Sequence, residues 1–134
     1  MTPSLATASA QMIVWKSDAV MRYAVGFVRA AHALALKGVP VGSDDVPDEY
    51  QPISGPGIAG SAVAALREGH LLTDCFETIP ALGIHGGRRR SKRESANGRK
   101  ISCYRLTSLA AAEEFLRRHG VEVSRQGLLF DQAS

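Results

Sequence analysis

The side chains with the most evident chemistry are cations that crowd into one short segment. Residues 88–105 contain eight Lys or Arg and one acid, whereas residues 1–87 contain five Lys or Arg against eight Asp or Glu. Guanidinium and ammonium groups at this density bind polyanions, of which DNA is the commonest. The segment therefore predicts contact with nucleic acid, although charge runs also mark ordinary solvated loops.

A cluster of carboxylates lies earlier in the chain, at Asp44, Asp45, Asp48 and Glu49. A nuclease could hold Mg²⁺ with such groups. They follow Ser43, however, in a stretch that is typical of a helix start, where acids cap free amides and favour the helix dipole. That structural role is sufficient, so no enzymatic activity is expected and a Mg-dependent nuclease is the less favoured alternative.

Cys75 and Cys103 are the only cysteines, and four histidines are scattered along the chain. A zinc site needs four ligands at close spacing, which this pattern does not supply. Pairing a thiol with His70 or His85 would suggest a nucleophile, but nothing nearby activates either thiol. Both cysteines are expected to be reduced and buried on strands, and no metal or cofactor is predicted.

The elements that must position these groups follow from apolar periodicity and end signals. Four helices are predicted: residues 17–38, a short helix from Ser43, residues 56–69 and residues 108–120. Ser17 and Ser108 are expected to cap the first and the last of them. Gly69 is expected to have a positive φ, because it lies between a helix and a strand.

Residues 70–76 and 100–107 are typical of strands. Residues 80–98 between them are rich in Gly, Ser and Arg and are not expected to contribute to a core. One domain is predicted over residues 17–119, with an N-terminal tail at 1–16 and a flexible C-terminal tail at 120–134.

This order of elements resembles the winged helix-turn-helix family over residues 17–119. The resemblance lies in Leu66–Leu72, where a helix ends on glycine and leads into a strand, and in the basic stretch 86–100. Small winged-helix proteins of bacteriophages and mobile elements are particularly similar. The resemblance implies an α+β, mostly helical fold: a three-helix core, a two-stranded basic wing and an extra C-terminal helix.

In that family the third helix enters the major groove, which implies contacts by Ser54, Ser61 and Arg67. This helix has almost none of the side chains that read base edges, so it either approaches phosphates closely or packs on protein. The wing would then provide the affinity for double-stranded DNA, with strong salt dependence and weak sequence preference. The wing residues concerned are Arg88, Arg89, Arg90, Lys92, Arg93, Arg99 and Lys100.

The segment Arg125–Asp131 resembles the pentapeptide with which bacterial proteins dock on the replicative sliding clamp. Gln126 would be the polar anchor, and Leu129 with Phe130 the apolar plug. Gly127 and Leu128 depart from the usual pattern, which has Leu and then Ser or Asp. The alternative is that residues 128–130 fold back onto the domain.

Together these features predict a cytoplasmic, DNA-binding accessory protein of replication, recombination or their regulation. No apolar run approaches the roughly 18 residues that span a bilayer, and residues 1–11 lack the basic start of a secretory signal. A protein-interaction adaptor with a winged-helix fold is the main alternative. The target site, the preference for single or double strands and the oligomeric state are left open.

Overall fold

The computed structural model describes residues 13–52, 57–93 and 98–123. Within these ranges the fold is α+β, with three α-helices and two small antiparallel sheets. The helices are α1 (Asp18–Ala35), α2 (Ile58–Glu68) and α3 (Leu109–Arg118). The strands are β1 (Leu72–Asp74), β2 (Arg88–Arg90), β3 (Lys100–Ser102) and β4 (Tyr104–Leu106).

Helix α1 is the centre of the fold and packs against α2, α3 and β4. Its start is as predicted, since the Ser17 hydroxyl accepts a hydrogen bond from the Val20 amide at 3.2 Å. The chain leaves the helix through Gly38, whose φ of +74° is easily adopted only without a β-carbon. The fourth predicted helix is α3, which begins in the same way, with the Ser108 hydroxyl accepting from the Ala111 amide at 3.2 Å.

The predicted second helix is reduced to two single 3₁₀ turns, Ser43–Asp45 and Asp48–Tyr50. Pro47 between them has no amide hydrogen and therefore cannot continue an α-helix that starts at Ser43. The capping role predicted for the acids is present, because the Asp45 carboxylate accepts from the Gly42 amide at 2.9 Å. The Asp44 carboxylate, in contrast, pairs with Arg89, 45 residues later in the chain.

The junction after α2 corrects one prediction. Gly69 has a φ of −79°, and the left-handed conformation falls instead on His70, with a φ of +60°. The turn closes there because the Leu71 amide donates to the Leu66 carbonyl at 2.9 Å. Gly69 is small for a packing reason: a β-carbon at this position would lie 2.6 Å from the Ile13 side chain.

The four strands form an interrupted hairpin. β1 pairs with β4, placing Leu72 opposite Leu106, and β2 pairs with β3, placing Arg89 opposite Ile101. Cys103 separates the two returning strands, and Val41 adds a single bridge to Tyr104. We call residues 88–102 the basic hairpin; the structure describes residues 88–93 and 98–102 of it.

The expectation that residues 80–98 make no core is wrong. Ile84 is buried with Cys75 and Cys103 in a small second core, and Gly87 and Arg89 are buried as well. The outgoing chain folds back on itself through a bridge between Ile79 and Ile84, which brings this polar stretch against the strands.

Packing also extends beyond residues 17–119 at both ends. Ile13 and Trp15 lie on the main core, as do Val121 and Val123. The Trp15 ring lies 6.1 Å from that of Phe115 and 6.3 Å from that of His119, between centroids. Among the described residues, no helix combines the length and the apolar character that crossing a membrane requires.

Candidate nucleic-acid interface

The basic hairpin is attached to the body of the protein by the carboxylates of the first 3₁₀ turn. Arg89 lies on the inner face of β2 and makes a bidentate pair with Asp44, with both nitrogen–oxygen distances at 2.6 Å. A third bond runs from its guanidinium to Asp45 at 2.9 Å. The Arg89 side chain is only 7% exposed and that of Asp44 only 1%, so this is a buried ion-pair network.

Of the next two cations of the hairpin, Lys92 extends the same network and Arg93 forms a separate pair with another acid of the cluster. The Lys92 amide donates to Asp44 at 2.7 Å, and its ammonium donates to Asp45 at 3.1 Å. Arg93 donates to the Asp48 carboxylate at 2.9 Å and to the Val46 carbonyl at 2.8 Å. The acidic cluster and part of the basic segment are therefore each other's partners.

The electrostatics of this network favour the charged forms. Burial alone would raise the pKa of the Asp44 carboxyl, but hydrogen bonds from Arg89 and from the Lys92 amide outweigh it, and the pKa lies below its ordinary value. Hydrogen bonding to Asp44 raises the pKa of Arg89, which is charged at any physiological pH. Removing one member would leave an uncompensated buried charge.

Gly42 makes room for the pair. A β-carbon there would lie 2.8 Å from the Arg89 guanidinium and 2.9 Å from the Ile101 side chain. The inner face of the hairpin is therefore packed closely against residue 42, and a side chain there would have to displace Arg89 and Ile101.

The outer face of the basic hairpin is different. Side chains alternate along a strand, and the register places Arg88 opposite Ser102 and Arg90 opposite Lys100. All four residues are exposed, and they define what we call the outer face. Arg88, Arg90 and Lys100 make no ion pair with any described residue, and neither does the exposed Arg99 beside them.

The eight cations of residues 88–105 thus divide equally. Four have carboxylate partners: Arg89, Lys92 and Arg93 in the acidic cluster, and Arg105 on Glu77. The remaining four lie on or beside the outer face. That face borders a groove of about 660 Å³, which has Leu82, His85, Arg88, Arg90 and Lys100 among its lining residues.

Helix α2, which the resemblance implies enters a DNA groove, exposes few side chains that could read base edges. Ser61 is half-buried, and the residues exposed along the helix include Gly60 and Ala64. Arg67 is exposed but donates to Asp74 at 2.9 Å. Ser54 lies outside the described residues. The structure therefore brings Arg67 near the hairpin without giving α2 a base-reading surface.

A second groove, of about 280 Å³, joins α2 to the basic hairpin. Arg67 and Asp74 line one part of it, and Phe76, Gly87 and Arg88 line another. Arg88 borders both grooves, so the two form neighbouring parts of one surface.

Sequence reasoning missed Phe76, because the apolar pair Cys75-Phe76 is typical of a buried strand. Only Cys75 is buried, whereas Phe76 is 79% exposed. The signal was available in Glu77 and Thr78, which end the apolar run directly after it. Leu82, which is 40% exposed, was missed because it stands in a stretch dominated by Gly and Arg.

The geometry of the described residues does not support a thiol nucleophile or a metal site. Both cysteines are free and buried, as predicted, but each lies directly beside a strand and not within one. Burial raises the pKa of the Cys103 thiol, which opposes a nucleophilic role. His70 and His85 are exposed. Within residues 13–52, 57–93 and 98–123, no three His, Cys, Asp or Glu side chains are grouped so that they could hold a metal ion.

The clamp-binding residues predicted in the tail, Gln126, Leu129 and Phe130, lie outside the described residues. Comparison of the chain with protein families, with curated proteins and with solved structures found no match in any of the three.

Proposed function

We propose that this chain is a winged-helix DNA-binding protein that holds the phosphate backbone with the outer face of its basic hairpin. The observation that carries the proposal is the set of four exposed cations, Arg88, Arg90, Arg99 and Lys100, which have no described carboxylate partner. Their neighbours on the same strands are neutralised by the protein's own acids.

The order of elements supports this reading. A long helix, a bridging residue at Val41, a compact turn region, a second helix, a hairpin and a last helix follow one another as in a winged helix. The turn region at 43–50 lies between α1 and α2, where the winged-helix family has the second of its three core helices. It is also what fixes the hairpin, through Asp44 and Asp45.

The distribution of charge favours phosphate over base recognition. Outer-face cations on a short two-stranded ribbon can each neutralise a phosphate and release a counterion, which gives salt-dependent binding of low sequence preference. Helix α2 adds little to base readout, because its exposed positions include Gly60 and Ala64. An accessory role in replication, recombination or their regulation fits such a binder.

The test is a titration of the full chain on random duplex DNA at several salt concentrations. The double variant Arg88→Gln, Arg90→Gln should lose affinity and lower the slope of log K against log salt by roughly one unit per lost contact. The matched control is Lys16→Gln, Lys37→Gln, which removes two exposed cations outside the hairpin.

Equal losses in both double variants would mean that net charge, and not the outer face, drives binding. No binding by the parent protein would instead favour the adaptor alternative, in which the winged helix contacts protein. Cleavage of plasmid in Mg²⁺ that disappears in Asp48→Asn would support the nuclease alternative; this exposed carboxylate lies outside the buried Arg89 network.

A further inference from the structure

We propose that Phe76 is a stacking platform for an unpaired base, and that the protein therefore prefers single-stranded DNA to duplex. The inference rests on the proposed function, since the basic hairpin must supply the phosphate contacts beside the ring. It adds a substrate class that neither the cation run nor the family resemblance implies.

The first observation is the position of the ring. Phe76 is 79% exposed, the most exposed aromatic side chain in the described residues. It lines the smaller groove together with Arg67 and Arg88, so an aromatic side chain and two cationic side chains border the same groove. Asp74 is the one carboxylate in that groove, and it is paired with Arg67.

The second observation is that the backbone under the ring is firmly held. The Cys75 amide donates to the Cys103 carbonyl at 3.3 Å, and the Gly87 amide donates to the Glu77 carbonyl at 2.7 Å. The Gly86 amide donates to the Thr78 hydroxyl at 3.0 Å. Hydrogen bonds to residues that directly flank the basic hairpin thus bracket Phe76 on both sides.

Gly87 explains how close this contact is. Its φ is +76°, and a β-carbon there would overlap the Cys75 carbonyl and lie 3.1 Å from the Phe76 α-carbon. The backbone at 87 therefore lies directly against the residue that carries the ring, and Arg88 follows it in the chain. The aromatic ring and the first outer-face cation start from touching segments.

This juxtaposition matches the two halves of a nucleotide. Single-strand binding proteins combine a basic track for the phosphates with aromatic rings on which bases stack, and the stacking tolerates any sequence. A base inside a duplex has both faces covered by its neighbours, so stacking on Phe76 favours an unpaired base. Because the backbone that carries the ring is already held in place, only the side chain has to be ordered on contact.

The experiment measures the binding of a labelled oligo-dT and of the corresponding duplex to the full chain at one salt concentration. Phe76→Ala should weaken single-strand binding by roughly tenfold and leave duplex binding nearly unchanged. Its melting temperature should equal that of the parent, since the ring is exposed. Val14→Ala, which removes another exposed apolar side chain outside both grooves, is the control.

Two further variants separate stacking from a general apolar contact. Phe76→Trp should retain single-strand affinity, and its emission should be quenched on binding, while Trp15, packed near Phe115 and His119, serves as the unresponsive reference. Phe76→Leu should bind as weakly as Phe76→Ala.

Three results would overturn the inference. If the parent binds DNA through Arg88 and Arg90 but Phe76→Ala binds oligo-dT normally, the stacking role fails and the proposed function stands. If Phe76→Leu restores full binding, the contact is apolar and not stacking, as expected for a protein partner. If the parent binds neither nucleic acid, both proposals fail together.

Discussion

The two faces of the basic hairpin carry the same kinds of side chain and have opposite roles. On the inner face Arg89 is buried against Asp44 and Asp45, so its charge is neutralised within the protein. On the outer face Arg88 and Arg90, its immediate neighbours, are exposed with no described partner. Strand alternation, together with the acids that pack against one face, produces this division. A run of cations therefore contains both structural and binding residues, and the position in the strand decides which is which.

The largest difference between the two faces is expected when one charge is removed from each. Arg89→Ser should lower the free energy of unfolding by about 3–5 kcal/mol, because it leaves two carboxylates without their buried partner. Arg88→Ser should change it by no more than about 0.5 kcal/mol, as is usual for an exposed side chain. Urea unfolding measures both.

Similar losses in the two variants would mean that burial does not distinguish the faces. Although none of the five cations Arg88, Arg89, Arg90, Lys92 and Arg93 belongs to an apolar period of the sequence, replacing all of them by serine should destabilise the fold through the loss of the buried Arg89 pair.

A smaller effect is expected from crowding the inner face without removing its charges. Gly42→Ala should destabilise the protein by about 1–3 kcal/mol, because the new methyl group displaces Arg89 and Ile101. Gly60→Ala is the matched control: it adds the same atom inside α2 where it meets nothing. Thermal unfolding should show a lower midpoint for the first variant and, through better helix propensity, an equal or higher midpoint for the second.

Acid should act on the inner face specifically. The pKa of Asp44 is lower in the folded protein than in the unfolded chain, so its contribution to stability is complete above about pH 4 and is lost as the pH falls further. The stability of Asp44→Asn should therefore fall less steeply than that of the parent between about pH 4 and pH 2. Parallel curves would show that Asp44 does not link the hairpin to protonation. The pKa of Glu77 is also lowered, by hydrogen bonding to Arg105, and that part of the acid dependence should remain in both proteins.

Local signals predicted the parts of the fold that depend on near neighbours. Ser17 and Ser108 cap their helices as expected, and the cation run was plain in the sequence. The pairing of Arg89 with Asp44 was not predictable in this way, because 45 residues separate the partners and no periodicity links them. The φ of Gly69 was predicted wrongly for a related reason. A side chain at this position is disfavoured by the packing of Ile13, which is distant in the sequence, and not by the conformation of the Gly69 backbone.

The site was predictable to the same extent. Composition located the segment and the strands on either side of it, but not which cations are exposed. That outcome depends on the register of β2 with β3 and on the acids brought to one face. Phe76 was missed, since an apolar residue beside a buried cysteine is usually buried itself, and the polar residues Glu77 and Thr78 that follow it were the one signal against burial. The winged-helix assignment stays a prediction.

Paired and unpaired cations of the basic hairpin should contribute differently to DNA binding. The decisive measurement is the salt dependence of duplex binding for Arg90→Gln and Lys92→Gln, which each remove one charge from positions two residues apart. Lys92 is a demanding control because its side chain is 69% exposed yet paired with Asp45. We expect Arg90→Gln to lower the slope of log K against log salt by about 0.9 and Lys92→Gln to leave it unchanged. Equal reductions in the two variants would show that pairing with the acidic cluster does not decide which cations bind DNA.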